Sequence, residues 1–154
     1  MIRTAGLSGR ILQMKPDETE LTQLYKQAAA LIYPSLYEGF GIPVLEAFSQ
    51  NLPVLLSNRS CLPEIAGEAA LYFDPEKPDA IADAVRRILS EGELRRQLIQ
   101  NGRKRLKDFS WERSAREIRN FYRKCFQSVS DPENENAGAA INKISEEQGK
   151  GNRT

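Results

Sequence analysis

Two carboxylates, Glu38 and Glu46, stand with seven residues between them, and inside that interval Gly39 and Gly41 flank Phe40. Glycines there let the backbone turn sharply or approach a ligand closely. Pro43 suits the first position of a helix, where the N–H it lacks is not missed. The remaining N–H groups of such a helix start have no partner within the helix, and the positive end of the helix dipole lies behind them. That combination is a ready phosphate site. Each part alone has a plainer use: a first-turn glutamate favours the dipole, and a Gly-x-Gly pair makes a turn. The specificity lies in the full string from Pro34 to Ala47.

The elements that must hold this string follow from periodicity. Ala30–Tyr33 carries the apolar run Leu31-Ile32-Tyr33 and reads as a buried strand leading into the glycine loop. Pro53–Ser57 and Ala70–Phe73 read as further strands, and Arg10–Met14 alternates weakly enough to be another. Between the first two strands, Leu21, Leu24, Tyr25, Ala28 and Ala29 fall at helical spacing, so Glu18–Ala29 is an amphipathic helix with Asp17 as N-cap. The helix from Pro43 ends near Gln50-Asn51, and Asn51 tolerates the left-handed conformation that such an end demands. Leu62–Ala66 is a single turn.

Helical periodicity takes over after Asp74-Pro75. A helix from Pro78 to Ser90 presents Ile81, Ala82, Val85, Ile88 and Leu89. Another, Glu93–Leu106, presents Leu94, Leu98 and Ile99, with Arg95, Arg96, Arg103, Lys104 and Arg105 on a solvated face. Ser110 caps a last helix carrying Ala115, Ile118, Phe121, Tyr122 and Phe126. Alternating strands and helices with near-continuously apolar strands make an α/β fold with a parallel, Rossmann-like sheet. Residues 1–127 form one partial domain, and the polar stretch 128–154 is predicted to be a disordered tail.

Composition removes several function classes. The chain has 154 residues, a net charge of +1 and no histidine. Near-neutral charge argues against nucleic acid as the partner, and without histidine neither a Ser-His-Asp nor a Cys-His site can be assembled. No run of about 18 apolar residues suggests a membrane span, and no signal peptide follows Met1. Cys61 and Cys125 lack metal-ligand spacing and read as free thiols of a cytoplasmic protein. No Asp-x-Asp motif is present, so no metal is expected.

The string around Glu38 and Glu46 resembles the donor-binding signature of the GT-B retaining glycosyltransferases, in particular glycosyltransferase family 4 (group 1). Those proteins carry Glu, seven residues and Glu around a Gly-Phe-Gly loop, then a Pro-x-x-Glu-Ala helix start. The segments Ser57–Glu64 and Phe109–Glu112 resemble the family too, and the likeness covers about residues 5–127. It implies a hexosyl- or mannosyl-type transferase using a nucleoside diphosphate sugar, UDP- or GDP-linked. It further implies that Glu46 holds the ribose hydroxyls, since a carboxylate offers two acceptors and a vicinal diol two donors. Glu38 would lie near the transferred sugar and steady positive charge at its anomeric carbon. The N–H groups of Phe40, Gly41 and Ile42 would meet sugar hydroxyls, and those of Val44 and Leu45 the diphosphate.

The resemblance reaches only the later part of the family's C-terminal domain. The acceptor-binding N-terminal domain, which would meet a glycan, lipid or small-molecule acceptor, is absent from the match. So are two strands with the Arg and Lys that the family places against the diphosphate; Lys15 and Arg59 do not sit in the matching motif. A doubly wound sheet has strand order 3-2-1-4-5-6. With Arg10–Met14 as strand 3, the missing strands leave it roughly 14 Å from Ala30–Tyr33 at the usual spacing. Either Arg10–Met14 stays out of the sheet, or it slides in beside Ala30–Tyr33; the cost of unpaired backbone favours the second. The expected activity is that of a glycosyltransferase fragment, inactive alone. The alternatives are a non-catalytic donor-binding or structural remnant, or another GT-B enzyme such as a sugar-nucleotide epimerase or a phosphorylase relative. Peripheral membrane attachment of an intact protein stays open.

Overall fold

The computed structural model describes residues 6–7 and 9–129. In chain order the elements are α1 (Glu18–Gln27), β1 (Leu31–Tyr33), α2 (Ile42–Ser49), β2 (Val54–Ser57), α3 (Leu62–Ala66), β3 (Ala70–Phe73), α4 (Pro78–Ser90), α5 (Gly92–Leu106) and α6 (Trp111–Val129). A short 3-10 turn, Gly67–Ala69, links α3 to β3. Residues up to Asp108 form one compact unit, and those from Phe109 belong to a second.

In the first unit the three strands form a parallel sheet in the order β1-β2-β3. Leu31 pairs with Val54, and Val54 in turn with Ala70. β2 is central and all four of its residues are buried. Its side chains alternate between two cores, as strand pleating requires. Val54 and Leu56 join Val44, Ala47, Phe48, Leu62 and Ala66, which come from α2 and α3. Leu55 joins Phe73, Ala84, Ile88 and Leu98, which bring in α4 and α5. Helices on both faces of a parallel sheet give the predicted α/β class.

Local signals fixed the helix ends. Asp17 accepts from the Glu20 N–H at 2.8 Å, and Glu20 accepts from the Asp17 N–H at 3.1 Å, a reciprocal capping box. At the C-terminal end of α2, Asn51 has φ 58°. Its N–H reaches the Phe48 carbonyl at 3.1 Å and that of Leu52 reaches Ala47 at 2.9 Å, which is a Schellman ending with asparagine where glycine is usual. α2 begins one residue earlier than predicted, so Pro43 takes its second position. Gly102 of α5 is buried, and a Cβ there would meet Phe48 Cδ1 at 2.8 Å, so this glycine lets α5 lie directly on the Phe48 ring.

Three expectations are corrected. Arg10–Met14 adds no strand to the sheet; Ile11 alone makes a β-bridge, and Ile11, Leu12 and Met14 are exposed. The run offers polar Arg10 and Gln13 among three apolar residues, too few to cover both faces of a parallel strand. Leu89 of α4 is 63% exposed, because the core side of that helix runs through Ala84 and Ile88. Arg105 leaves the solvated face: its guanidinium donates to the carbonyls of Ile65 at 2.9 Å and Glu64 at 2.7 Å, meeting main-chain acceptors at the end of α3.

In the second unit, Ser110 accepts from the Arg113 N–H at 3.3 Å and its carbonyl accepts from Ser114, so it caps α6 as predicted. Ile118, Phe121, Tyr122 and Phe126 are exposed on this helix. Ser128 and Val129 extend α6, and the rest of the predicted tail lies outside the described residues.

Candidate functional site

Glu38 sits in the loop after β1 and Glu46 in α2, both half-buried. Each has a tyrosine phenol on it. Tyr33, the last residue of β1, donates to Glu38 Oε1 at 2.7 Å. Tyr25 of α1 donates to Glu46 Oε2 at 2.9 Å. A hydrogen bond to an ionised acceptor is stronger than a neutral one and fixes the carboxylate's orientation.

The pairing shows in the acidities. Burial first, then the hydrogen bond to Glu46 and the charges of Glu46 and Tyr33, push the Tyr25 phenol up to about 12. Burial, then the bond to Glu38 and the charges of Glu38 and Cys61, push Tyr33 up to about 12. The Tyr33 phenol, and after it the Ser35 hydroxyl, hold the Glu38 carboxyl below its ordinary value against a small opposing effect of burial. Glu38 is thus kept as an anion, the form that can steady positive charge or accept from a hydroxyl.

The loop carrying Glu38 is tied down from the segment after β2. The Glu38 N–H donates to Ser60 Oγ at 3.3 Å, and that hydroxyl donates to the Glu38 carbonyl at 3.0 Å. The half-buried Cys61 thiol lies within donating distance of the Glu38 and Phe40 carbonyls, at 3.2 and 3.3 Å. Ser60 takes a left-handed φ of 56°, a conformation few non-glycine residues adopt. Arg59 reaches Asp74 at 3.1 Å and Glu76 at 3.0 Å, so its charge is spent on the loop after β3.

Gly41 is the N-cap of α2, with φ 107° and ψ 46°. A Cβ there would lie 3.0 Å from Leu62 Cδ2, so α3 packs against the backbone of the turn. At Gly39 a Cβ would meet nothing within 4 Å, so this backbone borders open space. Phe40 and Ile42 are exposed on either side of Gly41. The Val44 side chain is fully buried, and its N–H donates to the Gly41 carbonyl at 3.0 Å, so that group already has a partner in the cap turn. Leu45 is half-buried and packs against the core beneath the helix. The fold therefore brings Glu38, Gly39, Phe40, Gly41, Ile42, Val44, Leu45 and Glu46 into one continuous loop and helix start.

Comparison with known proteins bears on what this arrangement belongs to. Residues 2–105 match the family model described as "Glycosyl transferases group 1". The chain belongs to the group 1 glycosyl transferases. It is 41% identical over 114 residues to O-antigen chain mannosyltransferase B of Escherichia coli, across 74% of this chain and 30% of the relative. It is 33% identical over 118 residues to the MMP alpha-(1->4)-mannosyltransferase of Mycolicibacterium hassiacum, across 74% of this chain and 29% of the relative. The chain thus spans under a third of the length of these relatives. Among solved structures it superposes on sucrose-phosphate synthase from Thermosynechococcus elongatus with a TM-score of 0.72 and 30% identity, over 82% of this chain and 33% of that one. A C-terminal domain of a group 1 family glycosyl transferase from Francisella tularensis matches with a TM-score of 0.59 and 28% identity, over 70% of this chain and 57% of that domain. The fold is that of the GT-B glycosyltransferases.

Sequence reasoning missed the partners of the carboxylates. Tyr25 read as one of several apolar positions on an amphipathic helix and Tyr33 as part of a strand. The available signal was chemical: a half-buried tyrosine needs a partner for its hydroxyl. Ser60 and Cys61 lay in a segment noted for its likeness to the family, yet nothing local shows that they reach back to Glu38.

Proposed function

We propose that this chain carries the donor side of a retaining glycosyltransferase of family 4, which moves a sugar from a nucleoside diphosphate sugar to an acceptor hydroxyl. The observation that carries the reading is the pair of tyrosine-held carboxylates, Glu38 and Glu46, set on either side of the glycine turn that opens α2. Glu46 accepts the ribose hydroxyls. Negative charge leaving with the diphosphate meets the N–H groups and positive dipole end of α2, with Leu45 and a shared Val44 N–H as donors. The N–H groups of Phe40, Gly41 and Ile42 meet sugar hydroxyls. Glu38, already an anion, faces the carbon where positive charge develops. No metal takes part in this scheme.

The donor is UDP- or GDP-linked. Mannose is the sugar to test first, because both relatives described above are mannosyltransferases by name. The acceptor, a glycan, lipid or small molecule, is met through a part of the relatives that this match does not cover. The 154 residues therefore bind the nucleotide weakly and transfer no sugar alone. This is the activity of a fragment, and the epimerase reading has no observation of its own in its favour.

The test is calorimetry of the 154-residue chain with UDP and GDP. Glu46→Gln keeps the shape but turns one acceptor oxygen into a donor. Loss of a charge-assisted hydrogen bond lowers affinity by about 1.5–3 kcal/mol. Unchanged affinity in Glu46→Gln removes this carboxylate from the site, and sugar transfer by the purified chain alone refutes the fragment reading.

A further inference from the structure

We propose that Tyr25 is a positioning residue of the donor site: its phenol holds Oε2 of Glu46 and so presents Oε1 to the vicinal diol of a bound ribose. The inference rests on the donor-site reading above and adds a residue to it from outside the glycine-loop string.

Three observations carry it. Tyr25 Oη lies 2.9 Å from Glu46 Oε2, across 21 positions of sequence, so the contact is made by the fold and not by local chain geometry. The rest of the Tyr25 side chain packs against the core formed by Val44, Ala47 and Phe48, which anchors the ring. Glu46 itself stands on α2, held by buried Val44, Ala47 and Phe48 around it. A carboxylate with no partner rotates about its terminal bond, which is broad and roughly two-fold. With one oxygen bound by an anchored phenol, that rotation stops before a ligand arrives. The ordering cost is then met in folding and not in binding, which is how preorganised sites gain affinity.

Two plainer roles for Tyr25 predict different behaviour. As a core tyrosine whose hydroxyl merely needs a partner, it would affect stability and leave ligand choice alone. As a direct ligand contact, it would act independently of Glu46. A positioning role ties its effect both to Glu46 and to the diol.

The experiment measures dissociation constants of the full 154-residue chain for UDP and GDP and for their 2′,3′-dideoxy counterparts. It compares the natural sequence, Tyr25→Phe, Glu46→Gln and the double variant. Tyr25→Phe keeps the ring and its packing and removes only the hydroxyl. The expected result is a three- to tenfold rise in Kd for the ribonucleotide in Tyr25→Phe, with less than a twofold change for the dideoxynucleotide. In the Glu46→Gln background, Tyr25→Phe should change Kd less than twofold. An equal loss for both nucleotides, no loss for either, or an additive loss in the double variant overturns the proposal. If the natural sequence binds ribo- and dideoxynucleotides alike, the ribose reading of Glu46 fails, a result distinct from those three. A second measurement needs no ligand: carbon-13 tyrosine spectra from pH 8 to 12.5 follow each phenol separately. The Tyr25 phenol should titrate late in the natural sequence and earlier in Glu46→Gln. An unmoved Tyr25 titration shows that the contact is absent in solution and also overturns the proposal.

Discussion

Replacing Gly41 by alanine tests the link between the turn and the site most directly. Gly41 has φ 107° and ψ 46°, outside the narrow left-handed region open to residues with a Cβ, so alanine is strained there. Left-handed backbone costs an L-residue about 1–2 kcal/mol. The new Cβ would also lie 3.0 Å from Leu62 Cδ2. Leu62 is fully buried and has little room to withdraw, so crowding adds about 1 kcal/mol, the low end of the usual overpacking cost. The stiffer unfolded chain offsets about 0.4–1 kcal/mol of this loss. The net loss is about 1–2.5 kcal/mol, or a fall in melting temperature of about 4–20 °C for a unit of this size. Gly39→Ala is the internal control. Its Cβ meets nothing within 4 Å, so stability should stay within about 0.5 kcal/mol of the parent. Urea unfolding followed by circular dichroism measures both. Equal midpoints for Gly41→Ala and the parent, or equal losses in the two variants, would refute the strain argument. If ligand lies against the loop, Gly39→Ala should weaken UDP or GDP binding with the midpoint unchanged.

Two further outcomes are expected. Tyr25 and Tyr33 both have phenols raised from 10.0 to about 12, so the stability they contribute is complete below pH 10 and is lost as pH rises through 12. Melting temperatures measured across that interval should fall less steeply in Tyr25→Phe than in the parent; parallel curves would contradict the burial and charge argument. Asp17→Ala removes the side-chain half of the capping box on α1, leaving the backbone N–H that donates to Glu20, and should cost about 1 kcal/mol, read as a shift of the urea midpoint.

Legibility in the sequence followed the range of each interaction. The three strands of the sheet, the N-cap at Asp17 and the left-handed ending at Asn51 were readable, because each is written in neighbouring residues. The glycine turn was readable for the same reason. What escaped were contacts across the fold: Tyr25 to Glu46, Ser60 to Glu38, and Arg105 to the end of α3. A basic residue on an amphipathic helix carries no mark of whether its guanidinium meets water or a carbonyl. The Arg10–Met14 expectation failed through weighing backbone pairing above side-chain pattern. Its mixed polarity was visible, and that pattern prevailed.

The contact between Gly102 and Phe48 has a consequence for how the two walls of the site move. α5 lies so close to the Phe48 ring that no side chain fits between them, and Glu46 is only two residues from that ring on the same helix. The Glu46 wall is therefore keyed to the back of the fold, and its amides should exchange with solvent only when the whole unit opens. The Glu38 wall is a loop clipped by hydroxyl and thiol contacts, mostly near the surface, and can open by local fluctuation. Opening is then one-sided: the Glu46 side stays fixed with the unit while the Glu38 loop hinges, so on the donor-site reading proposed above any gating of entry and release falls to that loop.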